Sequence, residues 1–479
     1  VDSTLRSQPP TPDDENGEDT GGGYAKSLSN RHVQMIAIGG AIGVGLFLGA
    51  GGRLHAMGPS LLLVYAVCGL AGWMVMRAIA ELVLYKPVAG SFVEYSREFI
   101  GPWAGFAAGW MYWFNWAATC VVEITAAAIY VGRWAPDMPQ WLTALICLVV
   151  LLAVNLLSVK LFGELEFWFA IIKVTAIVVF LVVGTGLVLT AADMGGGVHA
   201  SPSHATSHDG LFPHGIGIAL ISMQAVIFAY NGIEMVAITV GETRNPREVL
   251  PKAARAVAWR IGFFYVGSVL LLVMLLPWHM YTGDESPFVT VFSRLGIPAA
   301  GDVMNLVVLT AALSSCNSGI YATGRTLRSL AHRGDAPSFT ARLSSRKVPI
   351  GGIAVTAVVM LVGVGLNYVV PKQAFDLAIA VASIGVLASW ASLIYSQIRL
   401  HAKAKRGELE RPKFRVPGSP YTGYATLAFL LLVLVLMAFS SGVERYAFYL
   451  VPVVALTLAV GWWVLSRRRR SDVLGDQAR

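Results

Sequence analysis

Long apolar runs, each ended by a short polar or charged segment, repeat along the whole chain. Charge-free stretches cover 33–52, 59–76, 103–122, 141–159, 174–192, 215–233, 261–277, 303–324, 348–371, 377–398, 416–443 and 446–466. The fifth lengthens once Lys173 and the apolar residues before it are taken in. Some twenty residues rising about 1.5 Å each cross a hydrocarbon core of about 30 Å. A backbone in lipid must satisfy its own N–H and C=O groups, so such runs form helices. The pattern predicts an all-α membrane protein with 12 transmembrane helices.

Composition agrees. Of 479 residues, 56% are hydrophobic and only 13% charged, against roughly 25% charged in an average soluble chain. Mean hydropathy is +0.63. These values exclude a string of soluble domains, a disordered chain, a collagen-like repeat and a disulfide scaffold. Cys68, Cys120, Cys147 and Cys316 stand alone in apolar runs and read as small core residues. The net charge of +8 becomes informative once it is mapped. With the N-terminus inside, 30 of the 36 Lys and Arg residues fall on the inner side. Arg53, Arg133, Arg294, Lys372 and Arg445 fall outside, and Lys173 lies within a span. That asymmetry predicts cytoplasmic termini in a cell membrane and leaves no basic surface for nucleic acid. Residues 1–25 are polar, acidic and rich in Pro and Gly; they read as a disordered tail and not as a signal peptide. Residues 401–418 form a basic cytoplasmic loop, 419–466 carry helices 11 and 12, and 467–479 form a second tail. The outer loop 193–214 holds His199, His204, His208 and His214 at irregular spacing, which reads as solvated loop and not as a metal site.

Two spans are interrupted. The first contains Gly39-Gly40-Ala41-Ile42-Gly43-Val44-Gly45, although glycine is unfavourable within a helix by about 1 kcal/mol relative to alanine. No strand precedes this run, so it is not a dinucleotide loop; close helix packing through glycines is the structural alternative. The sixth contains Phe228-Ala229-Tyr230-Asn231-Gly232-Ile233-Glu234. Glycine-broken helices at equivalent places in two halves point to an inverted-repeat transporter. Unwound backbone offers N–H groups to a carboxylate and carbonyls to an ammonium, which suits a zwitterion.

Glu123, Lys173 and Glu234 are ionisable residues well inside spans, and each is a functional candidate by default. The alternative for all three is a structural tie between helices. A buried lysine can load and release a proton, which is the chemistry of gradient coupling. Ser314-Ser315-Cys316-Asn317-Ser318 adds a polar cluster to the eighth span, suited either to helix–helix hydrogen bonds or to a site. There is no phosphate loop, zinc motif or nucleophile–base pair. The chain therefore reads as no enzyme, with no cofactor and an ion gradient as its energy source.

Several stretches carry a resemblance. Gln34-Met35-Ile36-Ala37-Ile38-Gly39-Gly40-Ala41-Ile42-Gly43-Val44-Gly45-Leu46-Phe47 resembles the first-helix signature of the amino acid transporter family, within the amino acid–polyamine–organocation superfamily. Glu166-Phe167-Trp168-Phe169-Ala170-Ile171-Ile172-Lys173-Val174, Gly241-Glu242-Thr243-Arg244-Asn245-Pro246 and Arg411-Pro412-Lys413-Phe414-Arg415 are similar to further family motifs, so that the likeness covers about 26–466. Within the family, the segment from Phe47 to Leu54, that from Asn305 to Ser315, and Ser419-Pro420-Tyr421 look most like the bacterial L-asparagine permeases. Permeases for D-serine, alanine and glycine share nearly all of these. Glu123 stands where the asparagine permeases tend to have aspartate, and Asn231-Gly232 replaces small non-glycine residues.

The resemblance implies a transporter core over 26–400, with inverted five-helix repeats at about 30–192 and 210–400, two peripheral helices, and alternating access. It places a substrate carboxylate on the N–H groups of Ala41, Ile42, Gly43, Val44 and Gly45. The ammonium falls on carbonyls around Ile38, Gly39 and Phe228, with Phe228 also capping the substrate. Glu123, Tyr230, Asn231, Glu234 and Asn317 complete the expected pocket, with Thr119 and Ser383 as further polar candidates. Lys173 matches the lysine that replaces a bound cation in proton-driven relatives, near Ser314 and Ser315. The expected activity is proton-coupled import of a small neutral amino acid, asparagine first. The alternatives are D-serine/alanine/glycine or GABA as substrate, exchange, or amino acid sensing without transport. Partners are the amino acid, protons and the bilayer.

Overall fold

The computed structural model describes residues 42–87, 91–157, 159–207, 209–234 and 246–477. The polar tail 1–25, the opening of the first span with Ile38, Gly39 and Ala41, the loop residue His208 and the motif segment 241–245 lie outside the described residues.

Helices follow one another along the chain, with the longest described connection between Leu189 and Ile216. The first group is α1 Val44–Phe47, α2 Gly49–Met57, α3 Leu61–Tyr85, α4 Ser91–Phe99, α5 Pro102–Gly132, α6 Gln140–Leu157 and α7 Val159–Leu189. The second is α8 Ile216–Ile221, α9 Met223–Ala229, α10 Pro246–Arg260, α11 Ser268–Leu275, α12 Pro287–Ser293, α13 Ala300–His332, α14 Ile350–Val369, α15 Pro371–Lys405, α16 Tyr421–Ala438 and α17 Glu444–Gln477. A π-helical segment, Ile261–Gly267, joins α10 to α11. Among the described residues, nine helical stretches are long and apolar enough to cross a membrane. They correspond to the second, third, fifth and seventh to twelfth runs of the sequence. The fourth and sixth runs form shorter apolar helices, Gln140–Leu156 and Ile216–Ala229.

The helices overrun the charge-free stretches. α7 passes through Glu166 and Lys173, and α2 carries Arg53 inside the helix, where the sequence reading had ended the span. A charge ends an apolar run on paper but need not end a helix, because a partner on a neighbouring helix can neutralise it.

The centre of the bundle is α5, buried along most of its length, with its most extensive contacts to α13 and α15. Gly105, Ala108, Gly109, Ala117 and Ala118 are among its buried residues, and small side chains let neighbouring backbones approach closely. At the other extreme, the apolar stretch of α17 is unburied, as expected of a helix facing lipid.

Ion pairs tie the helix ends together. At one end, Arg53 on α2 reaches Asp376 on α15 (2.6 Å) and Glu444 on α17 (3.6 Å). Arg133, which follows α5, pairs with Asp302 on α13 (2.8 Å) and with Glu285. At the opposite end, Glu81 on α3 is fully buried and accepts from Arg411 Nε (2.7 Å), Gln397 Nε2 (3.0 Å) and the Val416 N–H (2.8 Å). Part of the basic 401–418 segment is thus bound to the core. Asp335, also buried, pairs with Arg469 on α17 (2.7 Å) and with Arg97 on α4.

Candidate functional site

Two helix ends meet at the middle of the bundle. Gly43 is extended (φ −131°, ψ −167°) and α1 starts at Val44. The N–H groups of Leu46 and Phe47 both point to the Gly43 carbonyl at 3.3 Å. Those of Val44 and Gly45 come too early in the helix to have an acceptor within it. On the facing chain, α9 ends at Ala229. The N–H groups of Tyr230 and Asn231 close tight turns onto Ile227 O (3.0 Å) and Phe228 O (2.9 Å). Gly232 follows with φ +91°, a conformation that a residue with a Cβ rarely adopts. The two elements touch at Gly45, where a Cβ would lie 2.5 Å from Ala229 Cα. Gly45 therefore serves close packing, as the packing alternative held, and it also borders the site.

A narrow cavity opens at this crossing. Gly43, Gly45, Phe228 and Ala229 line it from the two helix ends. Trp116, Thr119 and Glu123 line it from α5, Ser315 from α13, and Asn231 from the turn. Thr119 and Glu123 belong to one face of α5 because residues four apart lie on the same side of a helix. Glu123 is 2% exposed. The Ser315 hydroxyl and the Val44 N–H face its carboxyl, and its Oε2 has no hydrogen-bond partner among the described residues. Asn231 is fixed from both sides of its amide. It accepts from Asn115 Nδ2 (2.9 Å) and donates to Thr119 Oγ1 (3.0 Å).

Lys173 sits behind this cavity, fully buried. Its Nζ donates to Ser314 Oγ (3.0 Å) and to the Ile42 carbonyl (3.4 Å), one residue before Gly43. Ser314 in turn donates to the Glu166 carboxylate (2.9 Å to each oxygen), and Glu166 Oε1 lies 3.9 Å from Lys173 Nζ.

Of the residues expected at the site, the structure brings Gly43, Gly45, Glu123, Phe228, Asn231, Ser315 and Thr119 to the cavity wall. Ile42 and Val44 take part through backbone groups, and Lys173 and Ser314 stand one layer behind. Ile38, Gly39 and Ala41 lie outside the described residues. Four candidates are placed elsewhere. Tyr230 donates to Tyr65 O (2.8 Å) and packs against the Tyr65 and Tyr265 rings, which ties α9 to α3. Glu234 faces the Trp390 indole N–H at 3.5 Å. Asn317 accepts from Asn155 Nδ2 (2.8 Å), and Ser383 donates to Ile379 O (2.7 Å) and Gln224 O (3.0 Å). Each of these side chains makes a hydrogen bond to a helix and is absent from the cavity wall, although Glu234 Oε1 and Asn317 Nδ2 have no hydrogen-bond partner among the described residues.

Two residues were missed. Trp116 was one tryptophan among several in α5, and nothing in the pattern separates it from a lipid-facing one. Glu166 lay outside the charge-free run that defined the fifth span. Its spacing of seven from Lys173 puts both on one helix face, which was the available signal.

Residues 32–474 match the amino acid permease family. The chain is 51% identical over 448 residues to a protein named L-asparagine permease from Streptomyces coelicolor, covering 93% of this chain and 91% of that one. It is 51% identical over 451 residues to the L-asparagine permease of Escherichia coli, covering 93% and 90%. L-asparagine permease 1 of Mycobacterium tuberculosis is 50% identical over 454 residues, covering 93% and 91%. A helical bundle with a polar cavity between two interrupted helices, matched over nearly its whole length by permeases, places the chain in the amino acid permease family as a multi-pass membrane protein that carries amino acids.

Proposed function

We propose that this permease is a proton-coupled symporter that imports L-asparagine by alternating access. The reading includes the fold that the family resemblance implies: twelve transmembrane helices, two inverted five-helix repeats, and both termini in the cytoplasm. The names and high identity of the relatives support asparagine over other small amino acids.

The geometry suits a zwitterion. The α-carboxylate docks on the Gly45 N–H and, in place of the Glu123 carboxyl, on the Val44 N–H at the start of the helix, where backbone donors and the helix dipole favour an anion. Glu123 Oε2, unpartnered in the cavity wall, takes the α-ammonium. Phe228 covers the substrate from the side of α9. Gating then consists of moving the two broken helices against the α5–α13–α15 scaffold.

Proton coupling rests on one observation, the Lys173 ammonium hydrogen-bonded to the Ile42 carbonyl beside Gly43. A charged lysine holds the first helix at the site. A neutral one donates more weakly, because ionised donors make the stronger hydrogen bonds. Protonation and the position of the substrate-binding backbone are thereby joined at one contact.

The test is uptake of labelled asparagine into proteoliposomes without sodium, driven by an acid-outside pH gradient, together with competition by unlabelled amino acids. Accumulation that follows the gradient and is displaced best by asparagine is the expected result. Uptake that requires sodium and ignores pH would overturn the coupling. Displacement by D-serine, alanine or glycine ahead of asparagine would overturn the substrate.

A further inference from the structure

We propose that Glu166 receives the proton that Lys173 releases, passed through the hydroxyl of Ser314. This rests on the symport reading above and adds the residue that stores the proton on the way through.

The three groups form a hydrogen-bond chain already aligned for transfer. Lys173 Nζ donates to Ser314 Oγ at 3.0 Å, and Ser314 Oγ donates to Glu166 at 2.9 Å. All three residues are fully buried, so bulk water does not reach them. The direct approach of Lys173 to Glu166 is 3.9 Å, too long for a hydrogen bond, which makes the hydroxyl the connecting atom. Two carboxylates face the lysine, Glu166 from its own helix and Glu123 from α5. Among the described residues, only Glu166 is joined to it by an unbroken chain of hydrogen bonds. Ser318, one turn beyond Ser314 on α13, faces the same carboxylate.

The step balances without another reactant. An N–H bond of the Lys173 ammonium breaks as an O–H bond forms on Ser314. The original Ser314 O–H bond breaks as its proton joins a Glu166 oxygen. The ammonium becomes an amine, the carboxylate becomes a carboxylic acid, and the hydroxyl is regenerated. An ion pair thus turns into a neutral pair inside the bundle, and the Ile42 carbonyl loses its charged donor. Release of the proton from Glu166 leaves an amine and a carboxylate, and uptake of a new proton by Lys173 restores the starting ion pair.

The full-length protein in proteoliposomes tests this with Ser314→Ala, Glu166→Gln and Glu166→Asp. Three quantities are measured: asparagine accumulation under a pH gradient, proton uptake read by an internal pH dye, and asparagine counterflow, which needs no net proton movement. Ser314→Ala and Glu166→Gln should depress accumulation and proton uptake at least tenfold more than counterflow, and Glu166→Asp should recover part of both. Accumulation retained in Glu166→Gln would overturn the proposal. So would an equal fall of accumulation and counterflow in all three variants, which marks a pair that only holds helices together. A wild-type protein that moves asparagine without protons would overturn the symport reading itself, a result separable from either of these.

Discussion

At Lys173 the fold answers a burial cost with a hydroxyl, a carbonyl and a carboxylate, each on a defined side of the ammonium. Removing the lysine leaves Glu166 buried without its counter-charge, which is strongly unfavourable. Lys173→Ala should therefore abolish gradient-driven accumulation while cutting counterflow less, as measured side by side in vesicles; equal loss of both would mark a structural lysine. Phe228 makes a simpler prediction. Its ring lines the cavity, and losing the apolar contact of a large side chain is worth about 1.5–3 kcal/mol. Phe228→Ala should weaken asparagine binding by about tenfold or more, read from its competition curve. Single residues were legible where chemistry was rare. Of the three ionisable residues that stood out in apolar spans, Lys173 and Glu123 reached the site, and Glu234 instead faces Trp390. Tyr230, Asn317 and Ser383 did not, because a polar side chain in a membrane helix is equally well satisfied by a neighbouring helix. One-dimensional spacing does not reveal which neighbour it will meet.

The helices were legible as apolar runs, and their interruptions as glycines. Helix ends were not. Glu166 and Arg53 both lie inside helices, beyond the charge-free runs, because each has an ion-pair partner on its own or another helix. Nor could a glycine's role be assigned in advance: Gly45 borders the cavity and also lets α1 pass against α9. Gly45→Ala would push a methyl group to within 2.5 Å of Ala229 Cα, a contact that backbone movement alone can relieve. Transport and asparagine binding should both be lost, with a lower thermal midpoint in detergent. Gly217, in α8 with open space around its Cβ position, provides the control: Gly217→Ala should leave the midpoint nearly unchanged.

For the whole molecule, charge asymmetry carried the sequence-based topology, but it said nothing of which charges are in use. Arg411 belongs to the basic segment counted toward that asymmetry, and it is also the partner of the buried Glu81. Removing one member of a buried pair typically costs about 3–5 kcal/mol. Arg411→Ala should lower the thermal midpoint in detergent clearly, and Glu81→Gln, which removes the unpaired charge, should lower it less.

The long helix α17 is fastened near both ends. Glu444 meets Arg53 at one end, and Arg469 meets Asp335 at the other. Between these two residues the helix runs about 37 Å at its usual rise, while its apolar stretch faces lipid. A free helix adapts to a thinner or thicker bilayer by tilting. One tethered at both ends transmits that mismatch to whatever holds it, here the helix that leads from the cavity and the buried aspartate at the far end. Bilayer thickness thus becomes a mechanical load on the transport cycle. Vesicles made from lipids of graded acyl-chain length should give graded turnover, and Glu444→Ala, which frees one end, should flatten that dependence.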